Sequence, residues 1–499
     1  MDALNHLITG FTLALSPTNL VMAFFGVFLG TLIGVLPGLG VSSTIAILIP
    51  LTTVLSPSSA IIIMAGIYYG AQYGGSTSSI MINIPGEVSA VPTLLDGYPL
   101  SQQGKAGPAL GIAAIASFFA GTTGLLGLTF LAPILADQAL LFGPPEYFGL
   151  MVLALTVMVS LSGESLLRGL LVGTFGYLIS LVGIGHTTAF PRFCYGAVVL
   201  SGGFDLISIS IGIFAVAEVF TGIGESRVTI SPEKIDNVFP SLSEIKQTLP
   251  AMLRGGTVGF LLGLLPGCAP AVTTFLAYDL EKKVSKHPER FGKGAMEGVA
   301  SPEAANNATS SSGFIPLMAL GIPCSPPLAI LLGGLMIYGL QPGPLLFEHH
   351  PDFVWTVIAS MYIGNVMLLI LNLPLVGFWA RLTRVPYGVL GPIILVISVV
   401  GTYSLRNNMF DVTTSLIFGG VGYLMRKYEW PTVPLILCII LGPLVEKSLV
   451  QSLAMSDGNL MIFITRPICL GLLIMALILL VVSLRLMRVT KEKNIDVMK

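Results

Sequence analysis

What this sequence has least of is charge. Asp, Glu, Lys and Arg make up 10% of its 499 residues, and hydrophobic residues make up 54%. A soluble domain carries about 25% charged residues, so these few cannot cover the surface of a soluble chain this long. Lipid is therefore the natural solvent for most of the surface. The 24 basic and 25 acidic side chains nearly cancel, leaving a net charge of −1. That balance suggests neither nucleic acid nor an acidic partner. Cysteine is sparse: Cys194, Cys268, Cys324, Cys438 and Cys469 are scattered, odd in number and form no CxxC pair. A disulfide framework and a metal knuckle are thereby excluded. No Lys or Arg precedes Lys105. The basic n-region of a secretory signal is lacking, and the first apolar run is expected to be a retained membrane segment. There is no phosphate-binding P-loop; the nearest run, Phe291-Gly292-Lys293-Gly294, lacks the leading glycine spacing and the Ser or Thr. HExxH and GxSxG are also missing. Any work done by this chain must draw on an ion gradient or a partner.

What is present is a succession of apolar runs. Those near membrane length lie at 18–36, 39–55, 58–74, 108–134, 146–162, 165–185 and 204–222, and again at 249–265, 268–280, 324–341, 353–379, 386–403, 408–424, 431–446 and 460–484. Several are short for a full crossing. The expectation is an all-α polytopic membrane protein with about twelve true spans plus broken or re-entrant pieces. Its parts would be a first transmembrane repeat at 15–222, a polar inter-repeat loop at 223–248, a second repeat at 249–484 and a basic tail at 485–499.

Basic residues set the orientation. Arg381 with Arg384, Arg426 with Lys427, and Arg485, Arg488, Lys491 and Lys493 are separated by pairs of spans. All three clusters therefore share one face, which the positive-inside rule makes cytoplasmic, together with the C-terminus. The loop 281–293 carries Lys282, Lys283, Lys286, Arg290 and Lys293 and should lie on that face too. The segment 297–323 must then enter and leave by one face, as a re-entrant hairpin. The charges Asp137, Glu146, Glu164, Arg168, Asp205, Glu218, Asp411 and Glu446 lie near span ends and read as interfacial. The five histidines are dispersed, and none is assigned a metal.

The two halves resemble each other. GTLIGVLPGLGVSST at 30–44 aligns with GFLLGLLPGCAPAVT at 259–273, Asn83-Ile84-Pro85-Gly86 parallels Gly321-Ile322-Pro323-Cys324, and Gly75 falls opposite Gly313. Paired Gly/Pro interruptions in two halves point to a secondary-transporter site. The turn at 56–58 is uncharged while its counterpart at 281–293 is strongly basic, which favours an inverted pair.

Four groups of residues could carry chemistry. At Pro37-Gly38 and Pro266-Gly267, proline removes a donor and glycine permits non-helical backbone. Freed carbonyls near Gly38, Gly86, Gly267 and Pro323 could hold Na⁺, and freed amides at a half-helix start such as Gly40 could hold a carboxylate. The bland alternative is a packing kink. The polar run Ser301–Gly313 offers Asn306, Asn307, Thr309, Ser310 and Ser311 to a substrate, with Glu303 as proton carrier or Na⁺ partner. Its bland reading is an extramembrane loop. Gly70–Ser79, leading into Asn83, supplies Ser76 and Thr77 in the first half; close packing through small residues is the alternative there. No paired nucleophile and base stands out for an intramembrane enzyme.

At these residues the chain resembles the large membrane subunit of the tripartite tricarboxylate transporters, the TctA family. The likeness rests on Gly34–Gly40, Tyr73-Gly74-Gly75 with Asn83–Gly86, Asp96-Gly97-Tyr98-Pro99, Gly263–Gly267, Pro302–Ala308, Ile315-Pro316-Leu317 with Leu320–Pro323, and Pro342-Gly343-Pro344. It runs from about residue 15 to 484. Cys268 and Cys324 depart from glycine-like positions of the pattern. The resemblance implies an inner-membrane permease working with a small TctB-like membrane subunit and a periplasmic TctC-like solute-binding protein. It would import tricarboxylates, dicarboxylates or related organic anions, driven by Na⁺ or H⁺ and without a cofactor. An uncoupled organic-anion channel or facilitator is the alternative.

Overall fold

The computed structural model describes residues 2–36, 40–161, 165–185, 189–222, 238–265, 267–375, 377–379 and 387–497; side chains of 2, 161, 387 and 485–497 are outside that description. The breaks at Pro37-Gly38 and Pro266, most of the loop 223–248 and the side chains of the basic tail therefore lie outside the described residues. Within them the protein is an all-α polytopic membrane protein. Six helices are long and apolar enough to cross a membrane: Pro17–Val35, Ala106–Ala139, Pro351–Asn372, Gly388–Arg406, Val433–Met455 and Pro467–Leu484. Five shorter apolar helices accompany them. The one sheet among the described residues is a two-residue antiparallel pair, Gly183–Ile184 with Pro191–Arg192.

The helices that matter for the site are α1 (Asp2–Ala14), α2 (Pro17–Val35), α3 (Val41–Thr52), α4 (Pro57–Ile82), α5 (Val91–Gln102) and α6 (Ala106–Ala139) in the first half. In the second half they are α7 (Leu242–Gly263), α8 (Pro270–Val284), α9 (Glu297–Ser312), α10 (Phe314–Leu320), α11 (Pro326–Ile337) and α12 (Pro351–Asn372). The helix α1 precedes the first expected span. At 13 residues it is too short to register as one, and it packs on α12, with His6 stacked on Trp355 at 5.8 Å. α7 begins seven residues before the expected span at 249, because Ser241 and Glu244 form a reciprocal capping box.

Glycine sets the helix spacing. A Cβ on Gly26, Gly30 or Gly34 of α2 would stand 2.6, 2.6 and 2.3 Å from the carbonyl oxygens of Ile63, Ile67 and Ala71 on α4. A Cβ on Gly255 or Gly259 of α7 would stand 2.1 and 2.2 Å from those of Ser301 and Ala305 on α9, and Gly263 presses on Thr309. Residue numbers rise together in both sets, so each pair of helices runs parallel and the short helix between them, α3 or α8, runs back. Across the halves the sense reverses. Ser76 of α4 lies beside Glu303 of α9, whereas Tyr68 lies beside Ser310 and its ring meets Phe314 at 6.1 Å.

The segment 297–323 is not a hairpin around its polar run. α9 continues past Gly313 into α10, and the chain turns back only at its end. There Gly321 is left-handed (φ 72), and a Cβ on Gly313 would lie 2.5 Å from Cys324 Sγ. The first half turns the same way. Asn83 caps α4 with φ 56, and a Cβ on Gly75 would lie 3.4 Å from Glu87 N.

Three acids expected near span ends are ion-paired with arginines from distant segments. Arg192 binds Glu446 at 2.6 Å, Arg406 binds Asp205 at 2.9 Å, and Arg426 pairs with Glu218. They tie segment 189–222 to the C-terminal helices.

Two adjacent glycines test the close approach. Gly255→Ala would drive a methyl into Ser301 O, whereas the Cβ of Gly256→Ala meets only Ala120 Cβ at 3.6 Å. Overpacking costs about 1–3 kcal/mol, which outweighs the ~1 kcal/mol that alanine gains in helix propensity. Gly255→Ala should lower the thermal unfolding temperature of the purified protein, and Gly256→Ala should leave it unchanged or raise it. Equal behaviour of the two would contradict the packing.

Candidate substrate and ion site

α9 is a helix rich in Ser, Thr and Asn, residues that ordinarily favour caps and turns. It forms because burial leaves their side chains the backbone as partner. Ser310 donates to Asn306 O at 2.9 Å, Ser311 to Asn307 O at 3.0 Å and Asn307 Nδ2 to Glu303 O at 3.1 Å. Such back-bonding is how Ser, Thr and Asn are accommodated inside helices. Every residue from Gly298 to Ser312 is buried.

Around this helix the expected residues separate into groups. Glu303 is fully buried. Its Oε1 accepts from Thr93 Oγ1 of α5 at 2.5 Å, and its Oε2 accepts from Ser117 Oγ of α6 at 3.2 Å. The hydroxyl of Ser76 is a third neighbour. Beside them lies a cavity of about 10 Å³, lined by Tyr73, Ser76, Thr77, Ser117 and Asn372 among others, about enough for one water. One turn on, Asn306 is fully buried with neither amide atom hydrogen-bonded.

Other expected site residues serve the packing. Thr309 lies 2.9 Å from Gly259 O and 2.8 Å from Thr273 Oγ1, which ties α9 to α7 and α8. Ser311 reaches Gly121 O of α6 at 3.3 Å. Asn83 is exposed as the left-handed cap of α4. A Cβ on Gly86 would lie 1.8 Å from Gly34 O, and one on Gly267 (φ +80) would lie 2.7 Å from Met158 Cα, so glycine is required at both on steric grounds. Pro323 is buried in the turn after α10. Gly40 caps α3, but the following amide, Val41 N, donates to the protein's own Glu87 at 3.1 Å. Gly38 lies outside the described residues. No cluster of three or more metal-ligating His, Cys, Asp or Glu occurs among the described residues.

Thr93, Ser117 and Glu87 escaped the sequence reading. Each is a lone polar side chain, Glu87 directly after the Asn83–Gly86 turn, and only folding sets it beside its partner.

The model of the tripartite tricarboxylate transporter TctA family matches residues 20–437. The chain belongs to the TctA family. It is 44% identical over 485 residues to an uncharacterized 52.8 kDa protein in the TAR-I ttuC′ 3′ region of Agrobacterium vitis, covering 97% of each chain. It is 42% identical over 226 residues to an uncharacterized protein in the TAR-II ttuC′ 3′ region of the same organism, covering 45% of this chain and 93% of that one. No solved structure matches it.

A second buried carboxylate in this TctA-family chain anchors the basic loop. Asp96 Oδ1 accepts from the backbone amides of Gly292, Gly294 and Ala295 at 2.9, 2.8 and 2.8 Å, and Oδ2 accepts from Tyr278 at 2.8 Å. Gly298 leaves it room, since a Cβ there would stand 2.1 Å from Oδ2. Asp96 thus fixes the loop ahead of α9 onto α5. Asp96→Ala would leave three amides and a phenol without their acceptor, at a cost of about 3 kcal/mol or more. Trypsin should then cleave after Lys286, Arg290 or Lys293 several-fold faster, with Asp96→Asn intermediate because it keeps one acceptor oxygen. Unchanged cleavage in Asp96→Ala would show that the loop is held by something else.

Proposed function

We propose that this chain is the permease subunit of a binding-protein-dependent secondary transporter. It imports tricarboxylates, dicarboxylates or related organic anions on a Na⁺ or H⁺ gradient. It sits in the bacterial inner membrane with its C-terminus cytoplasmic. A small TctB-like membrane subunit and a periplasmic TctC-like binding protein are its partners. Membership of the TctA family supports a role within a tripartite system.

The observation that carries this reading is the Asn306 amide. A buried polar group without a partner is costly and calls for an explanation. Here the orphan lies one turn from a buried acid, on a helix packed with hydroxyls. Asn306 offers two N–H donors and an acceptor, a set that suits a carboxylate bearing a hydroxyl or a second carboxyl. Tyr68 and Ser310 line the same α4–α9 seam.

Inverted repeats with about twelve crossings are the architecture we infer. In the sequence alignment Gly26, Gly30 and Gly34 stand opposite Gly255, Gly259 and Gly263. Gly75 opposite Gly313 brings Ile63, Ile67 and Ala71 opposite Ser301, Ala305 and Thr309. The same aligned pairs touch in each half, and α4 runs against α9. Both features support a pseudo-two-fold axis in the membrane plane, with the site between the repeats. Alternating access would then move one unit against the other.

The test is radiolabelled carboxylate uptake into proteoliposomes holding this chain and its small subunit, with the binding protein outside. Gradient-dependent accumulation is expected. Asn306→Ala removes an amide that contributes no hydrogen bond to the fold, so the unfolding temperature should hold or rise. Uptake should fall roughly tenfold, the value of about 1–3 kcal/mol for a lost polar contact. Normal uptake by a folded Asn306→Ala protein would remove the site. Equilibration without accumulation would replace the coupled transporter by a facilitator.

A further inference from the structure

The chain buries two carboxylates close together, on cradles of opposite kinds. Asp96 is held by three backbone N–H groups and a phenol. Backbone amides only donate, so this cradle matches a charged carboxylate and offers a carboxylic acid proton only the phenol as acceptor. Glu303 is held by hydroxyls alone, from Thr93, Ser117 and Ser76. A hydroxyl both donates and accepts. Facing a carboxylate, each of the three can donate; facing a carboxylic acid, one rotates and accepts the acid proton. The cradle therefore satisfies both protonation states without moving a heavy atom.

The surroundings are consistent with this. No Lys, Arg or His pairs with Glu303 among the described residues. The titratable groups on the elements packed around it include Tyr73 on α4, Glu87 just after α4, Asp96 on α5, Tyr278 and Glu281 on α8, and Arg254 on α7; Arg254 and Glu281 pair with each other and Glu87 is engaged by Val41 N. Tyr73 is engaged with Asn365 Oδ1 at 2.8 Å, and Tyr278 with Asp96. Thr93 Oγ1 stands at hydrogen-bond distance from Glu303 Oε1, 2.5 Å. A water-sized cavity lies beside two of the cradling hydroxyls, Ser76 and Ser117, with room for one water as a proton donor or acceptor. Isolated carboxylates at such depth are rare and mark ion pathways and proton relays.

We propose that Glu303, cradled by Thr93, Ser117 and Ser76, carries the coupling cation as a proton. The proton binds a carboxylate oxygen in one orientation of the transporter and leaves from the same oxygen in the other. No bond other than O–H forms or breaks. The proposal rests on the transport reading for its purpose, but its chemistry is testable without substrate.

Infrared difference spectra of the purified full-length chain in lipid, titrated in pH without Na⁺, should show a protonated-carboxyl band that comes and goes. That band should be missing from Glu303→Gln. Thr93→Val and Ser117→Ala, which keep the acid, should retain the band with a displaced midpoint; they also serve if Glu303→Gln does not fold. In proteoliposomes, a pH gradient alone should drive accumulation, and Glu303→Gln should lose it by roughly tenfold or more. A pH-independent spectrum would overturn the proposal, as would a band retained in Glu303→Gln. So would a carboxylate band that responds to Na⁺ at fixed pH, together with uptake that needs Na⁺. If the titrating band is seen but no carboxylate is taken up, the transport reading fails and the proton site stands.

Discussion

The close approach of α9 to α7 is the contact on which the rest of the site depends. Helix association in lipid gains little from the hydrophobic effect and relies on packing and polar contacts. Gly255, Gly259 and Gly263 let the two backbones meet at distances that no side chain would permit. That contact covers one side of a helix carrying Glu303, two asparagines and a run of hydroxyls, while α4, α5, α6 and α8 cover the others. Facing lipid, such a helix would be unstable. Inside this sheath its hydroxyls bond back to their own helix, and only selected groups are left for other work. Glycine on α7 is thus the condition for polarity on α9.

Within the sheath, the type of donor decides the behaviour of each acid. Asp96 and Glu303 are both fully buried, and α5 touches both, through Asp96 itself and through Thr93 one turn before it. Backbone amides from a tight loop make Asp96 a fixed anchor. Side-chain hydroxyls from three helices make Glu303 an adaptable one. α5 therefore links the basic loop at 292–295 to the acid inside the bundle. A shift at either end must be taken up at the other or relieved by bending this 12-residue helix.

Much of this was legible in the sequence, and the exceptions have physical causes. Low charge and long apolar runs determine the membrane class. The paired GxxxGxxxG-like rows are visible as letters, and their glycines sit where a Cβ would meet the backbone of the facing helix. The run Ser301–Gly313 was legible as a buried polar element but not as a helix. Its Ser, Thr and Asn content argues for turns in water, where the backbone competes with solvent; in a dry bundle the same side chains have only the helix to bond. The partners of Glu303 were not legible at all. Thr93 and Ser117 are lone hydroxyls far away in the chain, and their adjacency is a product of tertiary packing. The ion pairs were hidden for a similar reason: Asp205 read only as an interfacial charge, and its partner Arg406 is some two hundred residues away in the chain and meets it only in the fold.

The Pro-Gly breaks drew the sequence argument toward freed carbonyls and half-helix amides. The described geometry shifts the weight elsewhere. Gly86 and Gly267 are glycines because neighbouring backbone leaves no room for a Cβ. The amide at the start of α3 is engaged by Glu87, so a substrate carboxylate arriving there would have to displace an internal one of the same chemistry. Asn306 has no such competitor. Between a donor already satisfied and a buried donor with no partner, the second gains more from a ligand, because binding removes a standing cost instead of exchanging equals. That difference is why the proposed substrate site is the seam between α4 and α9 and not the breaks.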